Sequence, residues 1–342
     1  MDNLSRDDAF LNSLYFNTMS QRYDTIIEAH EETYDWIFAP EAYPERDARS
    51  QIEFRQWLEN GTDVYWISGK PGSGKSTLMK FLATCKHTRR YLRRWAGNSH
   101  LISAAFYFWI AGGDMQRSQL GLLRQLLFET LNARPSLIGV LHSQAQARLM
   151  KTFTSSKWRV ESDTLIPSHW TLESLIQALT DLGRETSDQK ICYFIDGLDE
   201  YDKDHLDLIA TIETLCKIPN VKVCVSSRRW PAFENAYGSK PGCKLYLEDL
   251  TYHDIFRFAR DKLASVPQFD DAEDDLDVDQ LAEEIAVRSE GVFLWVFLVI
   301  RSLRDGITNG DDAGMLQKRL DQLPTDLEPF FERILRSVDT MY

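Results

Sequence analysis

A glycine-rich turn at residues 69–75, GKPGSGK, constrains this chain most. It joins an apolar, β-prone run, VYWIS at 64–68, to STLMKFLATC at 76–85, whose apolar residues recur at helical spacing. Gly69, four residues and then Gly74-Lys75-Ser76 satisfy the phosphate-loop spacing G-x-x-x-x-G-K-[S/T]. Gly72 and Gly74 open backbone angles closed to residues with a Cβ, so successive amide N–H groups can turn inward. With the start of the following helix they form a cradle for anions. Lys75 supplies a mobile point charge for outer phosphates, and Ser76 a hydroxyl for magnesium. Gly69, Pro71, Gly72, Ser73, Gly74, Lys75, Ser76 and Thr77 are therefore the expected nucleotide-binding set.

The rest of the chain alternates in the way this unit requires. Apolar runs at 64–68, 100–110, 190–196, 221–227 and 244–250 alternate with amphipathic runs at 76–95, 118–133, 171–183 and 205–216. Such alternation predicts an α/β fold with a parallel sheet covered by helices on both faces. Residues 151–170 have no clear period and read as a loop. The first 60 residues read as mostly helical, with Ile26, Ile27, Tyr34, Ile37 and Phe38 near one face of a helix over 23–38. After 250 the strand signals stop, and helices are expected at 251–264, 278–290, 291–305, 314–322 and 327–339. Residues 268–279 carry seven acids but lack the glycine and glutamate of a calcium loop, and read as a solvated loop.

A phosphate loop needs a partner that holds magnesium and one that positions water. ICYFIDGLDEY at 191–201 offers both. Asp196 ends an apolar strand, at the carboxyl edge where phosphate loops also sit, and is the expected magnesium ligand together with Ser76. Asp199 and Glu200 follow within one turn and can orient and deprotonate a water. VKVCVSSRRWP at 221–231 delivers Arg228 and Arg229 to the same edge, where an arginine can contact a terminal phosphate.

Composition narrows the partners. Fifty-two acidic residues against 39 Lys and Arg give a net charge of −13, which opposes generic nucleic-acid binding. The basic stretch HTRRYLRRW at 87–95 reads as a solvated helix end. Five scattered cysteines without a C-x-x-C pair read as reduced thiols of a cytoplasmic protein. No H-x-H or H-E-x-x-H spacing suggests zinc, and the longest apolar run, at 291–300, is about half of a membrane span.

The phosphate loop, DGLDE with a small residue after the magnesium aspartate, and SSR after the next strand together resemble the NACHT class of signal-transducing STAND P-loop ATPases. YWISGKPGSGKSTLMKFL, AAFYFWIAGGDMQRSQLGLLRQLL and EGVFLWVFLVIRSL are similar to filamentous-fungal NLR-like proteins with a nephrocystin-3-like nucleotide domain. The resemblance implies a helical linker region over 1–50, a nucleotide-binding domain over 51–250, a helical domain over 251–322 that closes over the nucleotide, and the truncated start of a winged-helix region over 323–342. It implies ATP or ADP with Mg2+ as ligands. Lys75 and Ser76 match the Walker A pair, Asp196 the Walker B magnesium ligand, Asp199 and Glu200 the acidic catalytic pair, and Arg228 the sensor. Arg229 stands where the family often has proline, which leaves open which arginine senses phosphate. EGVFLWV lacks the proline of the family's Gly-x-Pro turn.

The function expected from this set is an ATP/ADP switch that opens on exchange and self-associates through its nucleotide domain, with slow ATP hydrolysis as reset. The alternatives are a binding-only scaffold and a small-molecule P-loop kinase or GTPase; no N-K-x-D guanine motif is present.

Overall fold

The computed structural model describes residues 2–30, 33–39, 53–152, 158–161, 164–167, 169–185, 188–265 and 277–324. Along the chain run α1 (Asp2–Leu14), α2 (Gln21–Thr25), α3 (Phe54–Asn60), β1 (Tyr65–Ser68), α4 (Lys75–Thr84), α5 (Lys86–Ala96), β2 (His100–Tyr107), α6 (Gln119–Ala133) and α7 (Ser136–Thr152). There follow β3 (Trp158–Glu161), β4 (Thr164–Pro167), α8 (Leu172–Glu185), β5 (Gln189–Asp196), α9 (His205–Cys216), β6 (Val221–Ser227), α10 (Pro231–Tyr237) and β7 (Lys244–Tyr246). The last four described helices are α11 (Tyr252–Ala264), α12 (Val278–Arg288), α13 (Phe293–Thr308) and α14 (Ala313–Asp321).

Five strands form one sheet in the order β2-β5-β6-β1-β7, and every neighbouring pair is parallel. Alternate residues serve opposite faces. Tyr65, Ile67, Cys192, Phe194 and Cys224 join α3, α4 and α5 in one core. Trp66, Tyr193, Ile195, Val223 and Val225 join α6, α8 and α9 in the other. Both faces are covered, which is why the strands read as unbroken apolar runs rather than as alternation with polar residues. A third core lies among α11 to α14, around Ile255, Ile285, Trp295 and Leu303.

Several local expectations are corrected. The run 23–38 is not one helix: α2 stops at Thr25, Ile26 is extended, and a single 3-10 turn forms at Asp35–Ile37. β-branched Thr25, Ile26 and Ile27 disfavour helix, and tertiary partners decide the rest. Tyr34 takes a left-handed φ of 72°, and buried Trp36 donates its indole N–H to Asp254 Oδ2 at 2.7 Å. The amphipathic run 76–95 divides at Cys85, which is extended and caps α5 by accepting the Thr88 N–H. The strand expected over 244–250 ends at Tyr246 and gives way to a 3-10 turn. Residues 151–170 hold the end of α7 and the antiparallel β3–β4 hairpin rather than a loop alone.

The N-terminal region does not stand apart. Phe10 and Leu14 enter one sheet core, and Tyr34, Trp36, Ile37 and Phe38 enter the other. The expected acidic loop at 268–279 lies mostly outside the described residues, as do residues 325–342 with the expected helix at 327–339. Arg89, Arg90, Arg93 and Arg94 of α5 are exposed, in keeping with a solvated helix. No described helix is long and apolar enough to cross a membrane.

Candidate functional site

Strand polarity assembles the site. β1, β5 and β6 run parallel, so Ser68, Asp196 and Ser227 leave the sheet at the same edge, with β6 between the other two. The Gly69 N–H still donates to Ser227 O at 3.3 Å, which anchors the root of the glycine loop to β6. From there the loop turns into α4, whose first residue is Lys75. Gly74 has a φ of 93°, and a Cβ there would stand 2.8 Å from Tyr34 Oη, so both angle and space demand glycine.

Lys75 bends back over its own loop, donating to Gly69 O at 2.7 Å and Lys70 O at 2.9 Å. Burial holds its pKa below the ordinary lysine value, against the opposing pull of Asp199 and Asp196. Asp196 is 1% exposed. Its Oδ1 accepts the Ser226 hydroxyl at 2.5 Å, while the Gly197 N–H donates to Ser226 Oγ at 3.0 Å. Burial raises the carboxyl's pKa in spite of the Ser226 and Ser76 hydroxyls that oppose the shift.

Asp199 and Glu200 are held differently. Asp199 accepts the Arg228 N–H at 2.9 Å through Oδ1 and pairs with Arg228 Nε at 2.9 Å through Oδ2. Glu200 accepts the Ile110 N–H at 2.9 Å through Oε2, and burial pushes its pKa up. Arg229 turns away: its Nε binds Glu234 at 2.9 Å and its guanidinium lies over the Tyr246 ring. Of the two arginines, only Arg228 lines the cavity that these groups share.

That cavity has a volume of about 680 Å³. The expected residues Pro71, Gly72, Gly74, Lys75, Ser76, Thr77, Asp196, Asp199, Glu200 and Arg228 line it; Gly69 and Ser73 support the loop behind. Ser73 is fully buried, and its Oγ has no hydrogen-bond partner. Two further walls had no local signal in sequence. One comes from ahead of the loop, with Arg22, Ile27, His30 and Tyr34; the other from the helical half, with Phe258, Phe293, Leu294 and Phe297. The helical half is joined to the loop directly. The Leu294 N–H donates to Gly72 O at 3.0 Å, and Lys70 Nζ pairs with Glu290 Oε2 at 2.8 Å. Gly291 makes this approach possible. Its φ is 79°, and a Cβ would fall 2.4 Å from Glu248 O.

Magnesium fits the donor set. Asp196 Oδ2 is buried without a partner beside the Ser76 hydroxyl, and both are hard oxygen donors. Among the described residues no group of three or more His, Cys, Asp or Glu converges as a metal site. A cation at Asp196 would then complete its shell with phosphate oxygens and water, as magnesium commonly does.

A family model described as Nephrocystin 3, N-terminal, matches residues 47–228, more than half of the chain. No curated protein matches the sequence. Among solved structures, the chain is similar to a Walker-type ATPase of Pyrococcus abyssi at 17% identity, with 84% of this chain and 73% of that one covered and a TM-score of 0.38. It is also similar to a chain in the structure of Drosophila ORC bound to DNA, at 15% identity, with 85% and 72% covered and a TM-score of 0.42. Overlaps this loose carry nothing about substrate or partner.

Proposed function

The chain belongs to the nephrocystin 3 N-terminal family, and from that membership and the cavity's geometry we propose that it binds ATP and ADP with magnesium and works as a nucleotide switch of the NACHT type. The observation that carries this reading is the junction between loop and helical half: the Leu294 N–H on Gly72 O, at the rim of a cavity lined from both sides. A nucleotide in that cavity touches both parts, so its phosphates can bias how they sit. In domain terms, a nucleotide-binding unit over 51–250 is closed by a helical unit over 251–322.

Binding begins with exchange at Lys75. Its ammonium leaves the Gly69 and Lys70 carbonyls for outer phosphate oxygens, while amides of the glycine loop and the start of α4 face the phosphates. Ser76 and Asp196 would hold magnesium, which when bound would supply positive charge beside the phosphate oxygens. Glu200 has Oε2 fixed by the Ile110 amide, which leaves Oε1 to accept a proton from water. Its raised pKa suits it to that task. The water oxygen bonds to the terminal phosphorus as the bond to the bridging oxygen breaks, and ADP leaves with phosphate. Asp199 holds Arg228 at the cavity wall, from which the guanidinium can reach phosphate.

Slow hydrolysis resets the switch, and the opened form self-associates through its nucleotide-binding face. A shift from about 1:99 to 99:1 takes roughly a 10⁴-fold difference in affinity between closed and open arrangements. The test is to purify the protein without added nucleotide, denature it and identify what is released, with Lys75→Ala as control. Near-stoichiometric ADP from the wild type and none from the variant is the expected result. A wild type that is empty, and stays empty when incubated with MgATP or MgADP, would overturn the reading.

A further inference from the structure

Arg22 lies ahead of every motif that defines the phosphate site, in the short helix α2. The fold carries it into the same cavity as Lys75, Ser76, Asp196 and Glu200. Its guanidinium carbon sits 5.7 Å from the centroid of the Trp109 ring. Trp109 directly precedes Ile110, whose amide fixes Glu200. A flat cation over an aromatic face is held in orientation while its edge donors stay free.

The neighbouring cations are already engaged. Lys75 donates to two loop carbonyls, and Arg228 is paired with Asp199 through both its backbone and its side chain. Lys262 stands over the Phe258 ring on the helical wall. Arg22, which also lies over a ring, differs from Lys75 and Arg228. Its Nε is buried with no hydrogen-bond partner, yet its charge is felt at both Asp196 and Glu200. Burying a guanidinium N–H unpaired is costly unless a ligand completes it. The missing partner is an anion at the end of the cavity where the carboxylates stand.

We propose that Arg22 is a phosphate-contacting residue of the nucleotide site, supplied from ahead of the glycine loop and braced by Trp109, that meets the terminal phosphate of a bound triphosphate. The inference rests on the nucleotide reading given above and deepens it. It makes the N-terminal segment part of the device that tells a triphosphate from a diphosphate. Arg22 then meets the terminal phosphate beside Arg228, whose guanidinium stays paired with Asp199.

Calorimetric titration of the full chain with MgADP and with the magnesium complex of the β,γ-imido analogue of ATP tests this. Arg22→Gln keeps a flat amide against Trp109 and removes the charge. It is expected to weaken the triphosphate analogue about tenfold to a hundredfold, the worth of a charge-assisted bond. ADP affinity should stay within about twofold, since the diphosphate lacks the group that Arg22 meets. Arg22→Lys, which keeps the charge without the flat fork, should recover part of the loss. Equal weakening of both ligands would mean a structural role and would overturn the proposal, as would an unchanged ratio of the two affinities. If Arg22→Gln fails to fold, the same ratio is read from Arg22→Lys, and an unshifted value again overturns the proposal. Failure of the nucleotide reading looks different: the wild type binds neither ligand, or Lys75→Ala binds both as well as the wild type does.

Discussion

Lys75 and Lys222 make the same bonds at opposite edges of the sheet. Lys75 donates to Gly69 O and Lys70 O beside the cavity. Lys222, at the start of β6, donates to Trp57 O at 2.6 Å and Leu58 O at 2.8 Å. The difference lies in what surrounds the carbonyls. Those of Trp57 and Leu58 belong to the last turn of α3, where the Gly61 N–H also reaches Trp57 O at 2.9 Å and Lys222 completes the cap. Lys222 is 1% exposed and lies between the rings of Trp57 and Trp95. It is a permanent helix cap. Lys75 sits on a loop with left-handed glycines and open space in front, so its bonds can be traded for phosphate. One bonding pattern thus serves stability at one edge and ligand exchange at the other.

The contrast yields graded expectations. Lys75→Ala should weaken ADP binding about 100-fold or more, by loss of a charge-assisted contact in a desolvated site, and should move the melting temperature of the nucleotide-free protein little. A large loss of stability in that variant, seen by thermal unfolding, would erase the distinction. Glu200→Gln should lower the hydrolysis rate by about 10²- to 10⁴-fold if it is the general base, with ADP affinity preserved; steady-state phosphate release measures it. A wild-type rate no higher than the variant's would favour the binding-only scaffold.

Lys222→Met should cost about 1–3 kcal/mol of stability by leaving the Leu58 carbonyl without its side-chain donor, while Trp57 O keeps the Gly61 N–H, without reducing the nucleotide bound per folded molecule. Urea unfolding of the two lysine variants, side by side, sharpens the contrast most directly.

A smaller effect concerns pH. Burial brings the Lys222 pKa down to about 8 from 10.5. The unfolded chain therefore binds more protons between those values, and this group's contribution makes stability rise with pH across that window. Below about 8 its penalty is fully present. Buried Tyr65 and Cys224 have raised pKa values and pull the other way at high pH. The quantity to follow is thus the difference between wild type and Lys222→Met, which should widen in favour of the wild type from pH 8 to 10. The smallest expected effect is that of Arg229→Ala. Its exposed pair with Glu234 is worth under about 1 kcal/mol, and its side chain faces away from the cavity. Nucleotide affinity should not change.

Much of this site is legible in the sequence because its parts are local. The glycine loop announces itself by spacing, and Asp196 by its place at the end of an apolar strand. Local signals failed where distant partners decided. The run 23–38 has apolar residues for a helix, yet Trp36 reaches Asp254, 218 residues away. Nothing near Arg22 marks it as a cavity residue. The choice between Arg228 and Arg229 also waited for the fold, since Glu234 and Tyr246 draw the second one off.

The sequence by itself determined the parallel sheet, the glycine loop and the carboxylates at its edge, because period and turn chemistry act over a few neighbouring residues. Only the tertiary structure decided that α2 and α13 complete the cavity, that Gly291 lets the helical half reach Gly72, and which cations face the ligand. Those outcomes depend on long-range packing and on which buried donors find acceptors, and no short stretch of chain encodes them.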